Sequence, residues 1–433
     1  MKTKKLLALV LALALTLAMA AGCGNGTTPE PADPTPPPAT TEPTPAPEPA
    51  TPEEPSAPSG PPIKIGHIAD MTGNEASTGE TARQSLEFAV QMLGGQIAGH
   101  EVEIVLGDAQ SDPSIAVDVA RQMVEQDGVV AIFGPTQIGH KSAVAEYIAE
   151  AGIPLVFYNA TPERLLGSGN PWIVGAGGAT PQLPSTMAEY AYTELGYRTV
   201  HTLSQDNTGG RSYIDPFAEA FEARGGAISQ QQWTPVPCPD YAPYLTTLGD
   251  ADALAAWVSG GDAIAIWGAW YDLGISKKMP MIAPMHGGFT DYFIPIALSK
   301  SNPEACDAMM GSIAPITYAL DAQTPENQEF VKAWTEEFGQ APPGSNLPAA
   351  CNQAILLFQA AMEATGGDTA PDKLIEAFFA ANITGPEGHL YFDNSQAATK
   401  DIHIVEVVKL DDGSFNYGLV KTYKDVPPSG LGN

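Results

Sequence analysis

The 433-residue chain is poor in basic side chains, with 20 lysines and arginines against 50 acids, and holds only four cysteines and seven histidines. The shortage of base excludes a nucleic-acid or anionic-lipid surface, since both need basic stripes. Cys238, Cys306 and Cys351 lie far apart and no Cys-x-x-Cys or His-Glu-x-x-His spacing occurs, so no metal site is expected. No Gly-x-Ser-x-Gly elbow and no phosphate-binding glycine loop is present, so neither a cofactor nor an enzyme activity is expected. Beyond the first residues no apolar run is long enough to cross a membrane. The scattered histidines read as structural or surface residues, His286 excepted.

What is present begins with MKTKKLLALVLALALTLAMAAGC, three lysines followed by a short apolar core and small residues, which reads as an export signal. Ala20-Ala21-Gly22-Cys23 resembles the lipobox of bacterial lipoproteins, with Ala20 where leucine is usual. That resemblance makes Cys23 the lipidated N-terminus of the mature protein and places it outside the cytoplasm, anchored to the membrane. Residues 24–62 hold 15 of the 40 prolines, with acids, threonines and nothing large and apolar. Such chain cannot bury enough surface to offset its ordering entropy and is a stiff tether, reaching roughly 100 Å at about 3.1 Å per residue. Six acids and three bases lie before Ile63, so the remainder carries 44 acids against 17 bases, a balance that suits solubility.

The folded part is organised around residues 128–161, GVVAIFGPTQIGHKSAVAEYIAEAGIPLVFYNAT. VVAIF is the apolar run of a strand covered on both faces. The chain then passes through Gly134 and Gly139 into a helix expected near Lys141, and Ile153 to Phe157 repeats the arrangement one strand over. Ligands of open parallel sheets lie beyond the carboxyl ends of neighbouring strands, so these two polar exits form half of a cleft. Upstream, IKIGHI (63–68) is a strand, a polar loop leads to a helix from about Ala82, and EVEIVL (101–106) is the next strand. Asp112-Pro113 caps a helix running to Asp127. The unit is βαβαβ.

The pattern repeats downstream with a helix near 184–196, strand TVHTLS (199–204), loop QDNTGGRS, a helix over 213–224, a strand over 227–233, a short helix near Tyr241, strand ALAAWV (253–258) and a helix to Gly274. MPMIAP closes on MHGGF, giving this lobe its own mouth. A strand over 309–315, helices over 325–338, 349–365 and 371–381, and three strand-like pieces ending at Tyr423 complete the chain. Trp267 and Trp270, at i and i+3, read as packing.

With the lobes laid out, the chain from Ile63 to Tyr423 resembles the branched-chain amino-acid-binding family of type I periplasmic binding proteins, the substrate-binding lipoproteins of ABC importers. The resemblance is carried in family order by IKIGHIADMTGNEASTGETARQSLEFAV, VEIVLGDAQSDPSIAVDVARQMVEQDGVVAIFGP, ELGYRTVHTLSQDNTGGR, DALAAWVSGGDAI, TPENQEFVKAWTEEFGQAP and GPEGHLYFDNSQAATKDIHIVEVV. It implies an α/β fold of two Rossmann-like lobes with parallel central sheets joined by three hinge crossovers. One lobe would be 63–181 plus 315–387, the other 182–314 plus 388–425, with a tail over 426–433. It further implies a monomer that takes a small-molecule ligand, an amino acid or related carboxylate, and delivers it to an ABC permease. Ligand contacts carry over to Gln137, Ile138 and Gly139 and to Asn159, Ala160 and Thr161, bordered by Thr72 and Ser77. In the second lobe the family's aromatic falls on Gly209, before Gly210-Arg211. Its ammonium-binding acid falls near His286, where no carboxylate stands, leaving Arg211 or His286 to meet charge and Asp262 or Asp291 as alternative acids. Tyr318, after the second crossover, is the aromatic candidate. The alternatives are a binder of aromatic or organic acids or amides, and a sensor that reports occupancy without transport.

Overall fold

The computed structural model describes residues 60–431 apart from Asn74, Gly288 and Tyr292, so the signal, Cys23 and most of the tether lie outside the described residues. The strand Ile63–Ala69 has six of seven side chains buried, as a central strand must, and lies in the middle of the first sheet. On one side it pairs with His100–Asp108 and then the short Gln96–Ile97. On the other it pairs with Ala131–Phe133, Leu155–Val156 and Ile173–Val174. All pairings are parallel except that of Gln96–Ile97. The second sheet, also parallel, runs Met281–Ile282, Ala253–Trp257, Thr199–Gln205 and Ala227–Thr234.

Helices cover both sheets. Three of them start earlier than the sequence pattern suggests, and in two of the three a glycine packed on a strand end is the cause. The first spans Ala76–Met92 rather than starting near Ala82, the next Ile138–Ala151 rather than starting near Lys141, and the helix expected over 213–224 is Thr208–Ala223. A Cβ on Gly79 would lie 2.1 Å from the Asp70 carbonyl oxygen, and one on Gly210 would lie 2.2 Å from that of Gln205. These glycines let a helix begin directly against the end of the strand it follows, so they belong to helical first turns and not to loops. Asp112 does cap Pro113–Gln122, accepting from the Ser114 amide at 2.7 Å, and that helix ends in a π turn over Met123–Asp127.

Two corrections concern the second half. Helices Phe293–Ser301 and Pro303–Met309 occupy a stretch that the sequence pattern left unassigned. The three C-terminal strand-like pieces are four strands, Asn382–Gly385, Gly388–Tyr391, Thr399–Lys409 and Phe415–Val426, which form an antiparallel sheet with Ile313–Ile316. Helices Pro325–Phe338, Leu347–Ala364 and Pro371–Ala380 return to the first lobe, where Leu347, Phe358 and Phe378 share a core with Ile65 and Phe133, and Phe330 and Trp334 pack with Phe88. Cys238, Cys306 and Cys351 are buried and unbonded to one another.

The chain crosses between lobes near residues 175–182, 315–318 and 396–400, the last beyond the expected boundary at 387/388 because Gly388–Tyr391 pairs with Asn382–Gly385 and Gln353 holds Gly388, and buried polar groups knit these passages together. Gly175 exchanges backbone hydrogen bonds with Gln396 (2.7 Å) and Ala398 (2.9 Å). Gln182 Oε1 accepts from the Ala179 amide at 2.6 Å, while its Nε2 donates to the carbonyls of Ala398 and Val426 at 3.1 and 2.7 Å. Lys400 and Glu387, 0% and 1% exposed, form an ion pair at 2.6 Å, and the Thr317 hydroxyl donates to the other Glu387 oxygen at 2.5 Å. A buried pair that loses one partner leaves a charge without compensation. Lys400→Met is therefore expected to lower unfolding free energy in urea by about 3–5 kcal/mol, and adding Glu387→Leu should recover most of it. Equal losses in the single and double variants would show that the pair is not what holds the crossovers.

Candidate functional site

Polar segments follow the carboxyl ends of strands in both parallel sheets, and the expected ligand residues divide between these exits and the structure around them. Gln137 is extended and precedes the helix Ile138–Ala151, with no side-chain cap. The first amides of a helix have no intrahelical carbonyl to bind, so those of Ile138, Gly139 and His140 leave the helix as donors with its positive end. Ile138 also packs against the second lobe's main apolar cluster, so this helix start meets the opposite lobe.

The next exit is fixed from behind. Lys141, fully buried, donates from Nζ to the Asn159 side-chain oxygen at 2.6 Å and to the carbonyls of Asn159 (3.2 Å) and Ala160 (2.6 Å). Asn159 Nδ2 donates to the Thr136 carbonyl at 3.1 Å. The Asn159 side chain thus works within the first lobe and leaves the loop's backbone to the cleft. Thr161 is fully buried, with its amide bonded to Gly178 O (2.8 Å) and its carbonyl to Thr180 N (3.0 Å). Its hydroxyl faces Gly175 and has no hydrogen-bond partner among the described residues. Thr161 joins the exit to the first crossover.

Four other candidates are engaged in ways the sequence does not reveal. The Thr72 hydroxyl donates to Asp108 at 2.8 Å, and the Met71 and Thr72 amides bind the same carboxylate, so Thr72 holds its own loop. Ser77, exposed, lies in the first turn of the helix Ala76–Met92. Arg211 is half-exposed, paired with Asp206 at 2.6 Å and lying over the Trp233 ring. Tyr318 is buried in a first-lobe aromatic cluster with Phe88, Phe330 and Trp334, where burial raises its phenol pKa. Of the alternative acids, Asp262 accepts from Gln205 Nε2 at 2.9 Å and from the Cys238 amide at 3.2 Å, and Asp291 follows the loop that carries His286.

His286 is 1% exposed, donates from Nδ1 to the Pro315 carbonyl at 3.1 Å, and sets Nε2 3.3 Å from the Asn346 side-chain amide. Burial holds its pKa at about 4, below the ordinary 6.5, so it is neutral, and through the Asn346 side-chain oxygen beside Nε2 it links the second lobe to the residue that precedes helix Leu347–Ala364. At the strand exits of the second lobe stands Trp257, 8% exposed and a member of that lobe's main apolar cluster. It ends the strand Ala253–Trp257, donates from Nε1 to the Gly287 carbonyl at 2.8 Å, and lies against Tyr213 at 5.0 Å between ring centroids. A Cβ on Gly209 would lie 3.2 Å from its ring, so the absent side chain at 209 is what gives the indole its place. One ring therefore spans the exits of three neighbouring strands. Its position at the end of an otherwise small-residue strand, ALAAW, was the available signal; Lys141 and Thr136 gave none. The two described surface cavities, of about 450 and 370 Å³, lie elsewhere, along helix Pro325–Phe338 and beneath Met281–Ile282.

Two opposed parallel-sheet mouths, joined by three crossovers, define a two-lobed α/β binding protein. A family model described as "Periplasmic binding protein" matches residues 62–414, and the chain belongs to that family. Among curated relatives, the Leu/Ile/Val-binding protein homolog 6 of Brucella melitensis is 24% identical over 375 residues, covering 85% of this chain and 93% of the relative. An ABC transporter substrate-binding protein from Sphaerobacter thermophilus is 28% identical with a TM-score of 0.77, covering 85% of this chain and 99% of that one. A solute-binding protein of an ABC transporter from Rhodopseudomonas palustris BisB5, solved with 3,4-dihydroxybenzoic acid, is 26% identical with a TM-score of 0.73, covering 84% and 98%.

The neutral state of His286 has a consequence for stability. The unfolded chain takes up a proton below pH 6.5 that the folded chain refuses until about pH 4, so the His286 contribution is complete above pH 6.5 and is lost as pH falls toward 4. Between pH 7.5 and 5 the loss from this residue is about 2 kcal/mol. Urea unfolding of His286→Gln at both values should show a correspondingly smaller drop; an unchanged drop would mean that the imidazole is charged in the fold.

Proposed function

We propose that this protein is the solute receptor of an ABC importer, held outside the cytoplasm by lipid on Cys23, and that it captures a small carboxylate between its lobes and hands it to the permease. Capture by closure, without chemistry on the ligand, is the activity of a monomer. The observation that carries the reading is the pairing of unlike mouths: the helix-start amides of Ile138–His140, beside the Asn159–Ala160 loop, on one lobe, and the Trp257 ring across three strand exits on the other. Backbone amides at a helix start suit a carboxylate, and an indole face suits a flat or branched apolar body.

Two ligand types meet this description. An aromatic acid needs nothing more, and His286, neutral and buried, offers no charge against it. An amino acid needs a partner for its ammonium, and Asp262 at the start of helix Gly261–Asp272 is the carboxylate in the second lobe best placed for one. A relative solved with a dihydroxybenzoate and relatives named for leucine, isoleucine and valine support one type each.

A thermal-shift screen of residues 60–433 against leucine, isoleucine, benzoate, 4-hydroxybenzoate and their amides decides between them. A ligand at 100 times its dissociation constant should stabilise by about 2.7 kcal/mol, a shift of a few degrees. Shifts from the benzoates alone assign aromatic acids, shifts from leucine with none from its deaminated acid assign amino acids, and no shift from any acid rejects a carboxylate ligand. Trp257→Ala should weaken the responding ligand about tenfold or more, and unchanged affinity would remove the ring from the site.

A further inference from the structure

We propose that Lys141 is the residue that makes this cleft selective for anions: its buried ammonium is the fixed counter-charge for the ligand's carboxylate and distinguishes an acid from the corresponding neutral amide. The inference rests on the reading of the cleft as a small-carboxylate site.

Lys141 is 0% exposed, and its Nζ contacts three oxygens: Asn159 Oδ1, Asn159 O and Ala160 O. An ammonium has three N–H donors and a neutral amine two, so three acceptors around one nitrogen hold the charged form. The Phe157 ring, 5.1 Å from Nζ, also favours a cation. Burial works the other way and draws the pKa of this lysine well down, and no carboxylate among the described residues pairs with it. The neighbouring acid, Asp70, is engaged with His140 at 3.4 Å and with the Ser111 amide at 2.9 Å. The nearby Arg164 donates to Ser142 and brings further positive charge to this helix, not a counter-ion.

The result is a charge held in place by dipoles and lacking its opposite. Burying an ion in that condition is costly unless a partner arrives. The oxygens that hold Lys141 belong to the Asn159–Ala160 loop at the cleft, and Lys141 is itself the fourth residue of the helix whose first amides open there. A carboxylate at that helix start would meet two positive sources at once, the helix end and the ammonium behind the loop. An amide would leave the ammonium as it was. The lysine makes no direct contact with the ligand in this arrangement, since all three of its protons are used; it acts through the loop and through its field.

The test compares the full chain with Lys141→Met and Asn159→Asp, titrating benzoate, 4-hydroxybenzoate and leucine against benzamide, 4-hydroxybenzamide and leucinamide by calorimetry. Whichever acid binds should lose about 30-fold or more in affinity in Lys141→Met, while its amide changes by no more than about threefold, so that the acid-to-amide ratio collapses. Asn159→Asp gives the ammonium an internal counter-ion. It should likewise weaken the acid, although it also replaces the amide that donates to the Thr136 carbonyl with a second carboxylate oxygen, so acid affinity and not melting temperature is its readout. An acid-to-amide ratio that survives in the folded variants overturns the inference and leaves the carboxylate reading intact. If no acid binds the unaltered protein, the carboxylate reading fails, and with it the role of Lys141 as ligand counter-charge. The ligand-free melting temperature of Lys141→Met then reports separately on whether the ammonium is uncompensated: a rise on removing the charge says that it is, and a fall says that Lys141 is a brace for the loop. Should Lys141→Met not fold, Asn159→Asp and the acid-to-amide ratio of the unaltered protein carry the test, and a ratio near one in the unaltered protein overturns it.

Discussion

The arrangement depends on a constraint at the crossovers: three stretches of chain must run side by side between two lobes without exposing unpaired backbone. Gln182 meets this by binding one crossover with its oxygen and two other segments with its nitrogen. The Lys400–Glu387 pair, with Thr317 on its second oxygen, does the same for the remaining strands. Buried groups of this kind add little net stability compared with apolar packing, yet they accept few alternative geometries. Long-range polar contacts therefore confine the relative placement of the lobes, while each lobe keeps its own apolar cores.

Much of this was legible in the sequence because parallel sheets announce themselves by composition. Runs such as IKIGHI and ALAAW are buried on both faces, so they are apolar throughout, and the polar segments after them mark the mouths. Helix starts were less legible. Glycine near Gly79, Gly139 and Gly209 suggests a loop when only local propensity is weighed, whereas in the fold Gly79 and Gly210 allow close approach of a helix to a strand end. The antiparallel C-terminal sheet was hard to read because its pairings join residues far apart in the chain, such as Ile313–Ile316 with 403–406.

The site divides along similar lines. Residues 137–139 and 159–161 follow strands whose ends could be placed, so their positions came with the fold. The roles of individual polar side chains did not, because hydrogen-bond partners such as Asp108 for Thr72, Asp206 for Arg211 and Pro315 for His286 are choices among many that tertiary packing makes. Trp257 was concealed by its setting: a large ring at the end of a buried strand reads as core until the missing side chain at Gly209 gives it a surface to cover. Lys141 was concealed by its type, since a lysine early in a helix ordinarily points to water.

The three free thiols among the described residues have a further use. Cys351 lies in the helix packed under the first sheet, and Cys238 and Cys306 lie in the main cluster of the second lobe. Burial raises the pKa of each, so the reactive thiolate is scarce as well as covered. Alkylation must wait for the surrounding structure to open, and each lobe thus carries its own chemical clock. Labelling rates at these positions would time the breathing of one lobe independently of the other, with no cysteine having to be introduced.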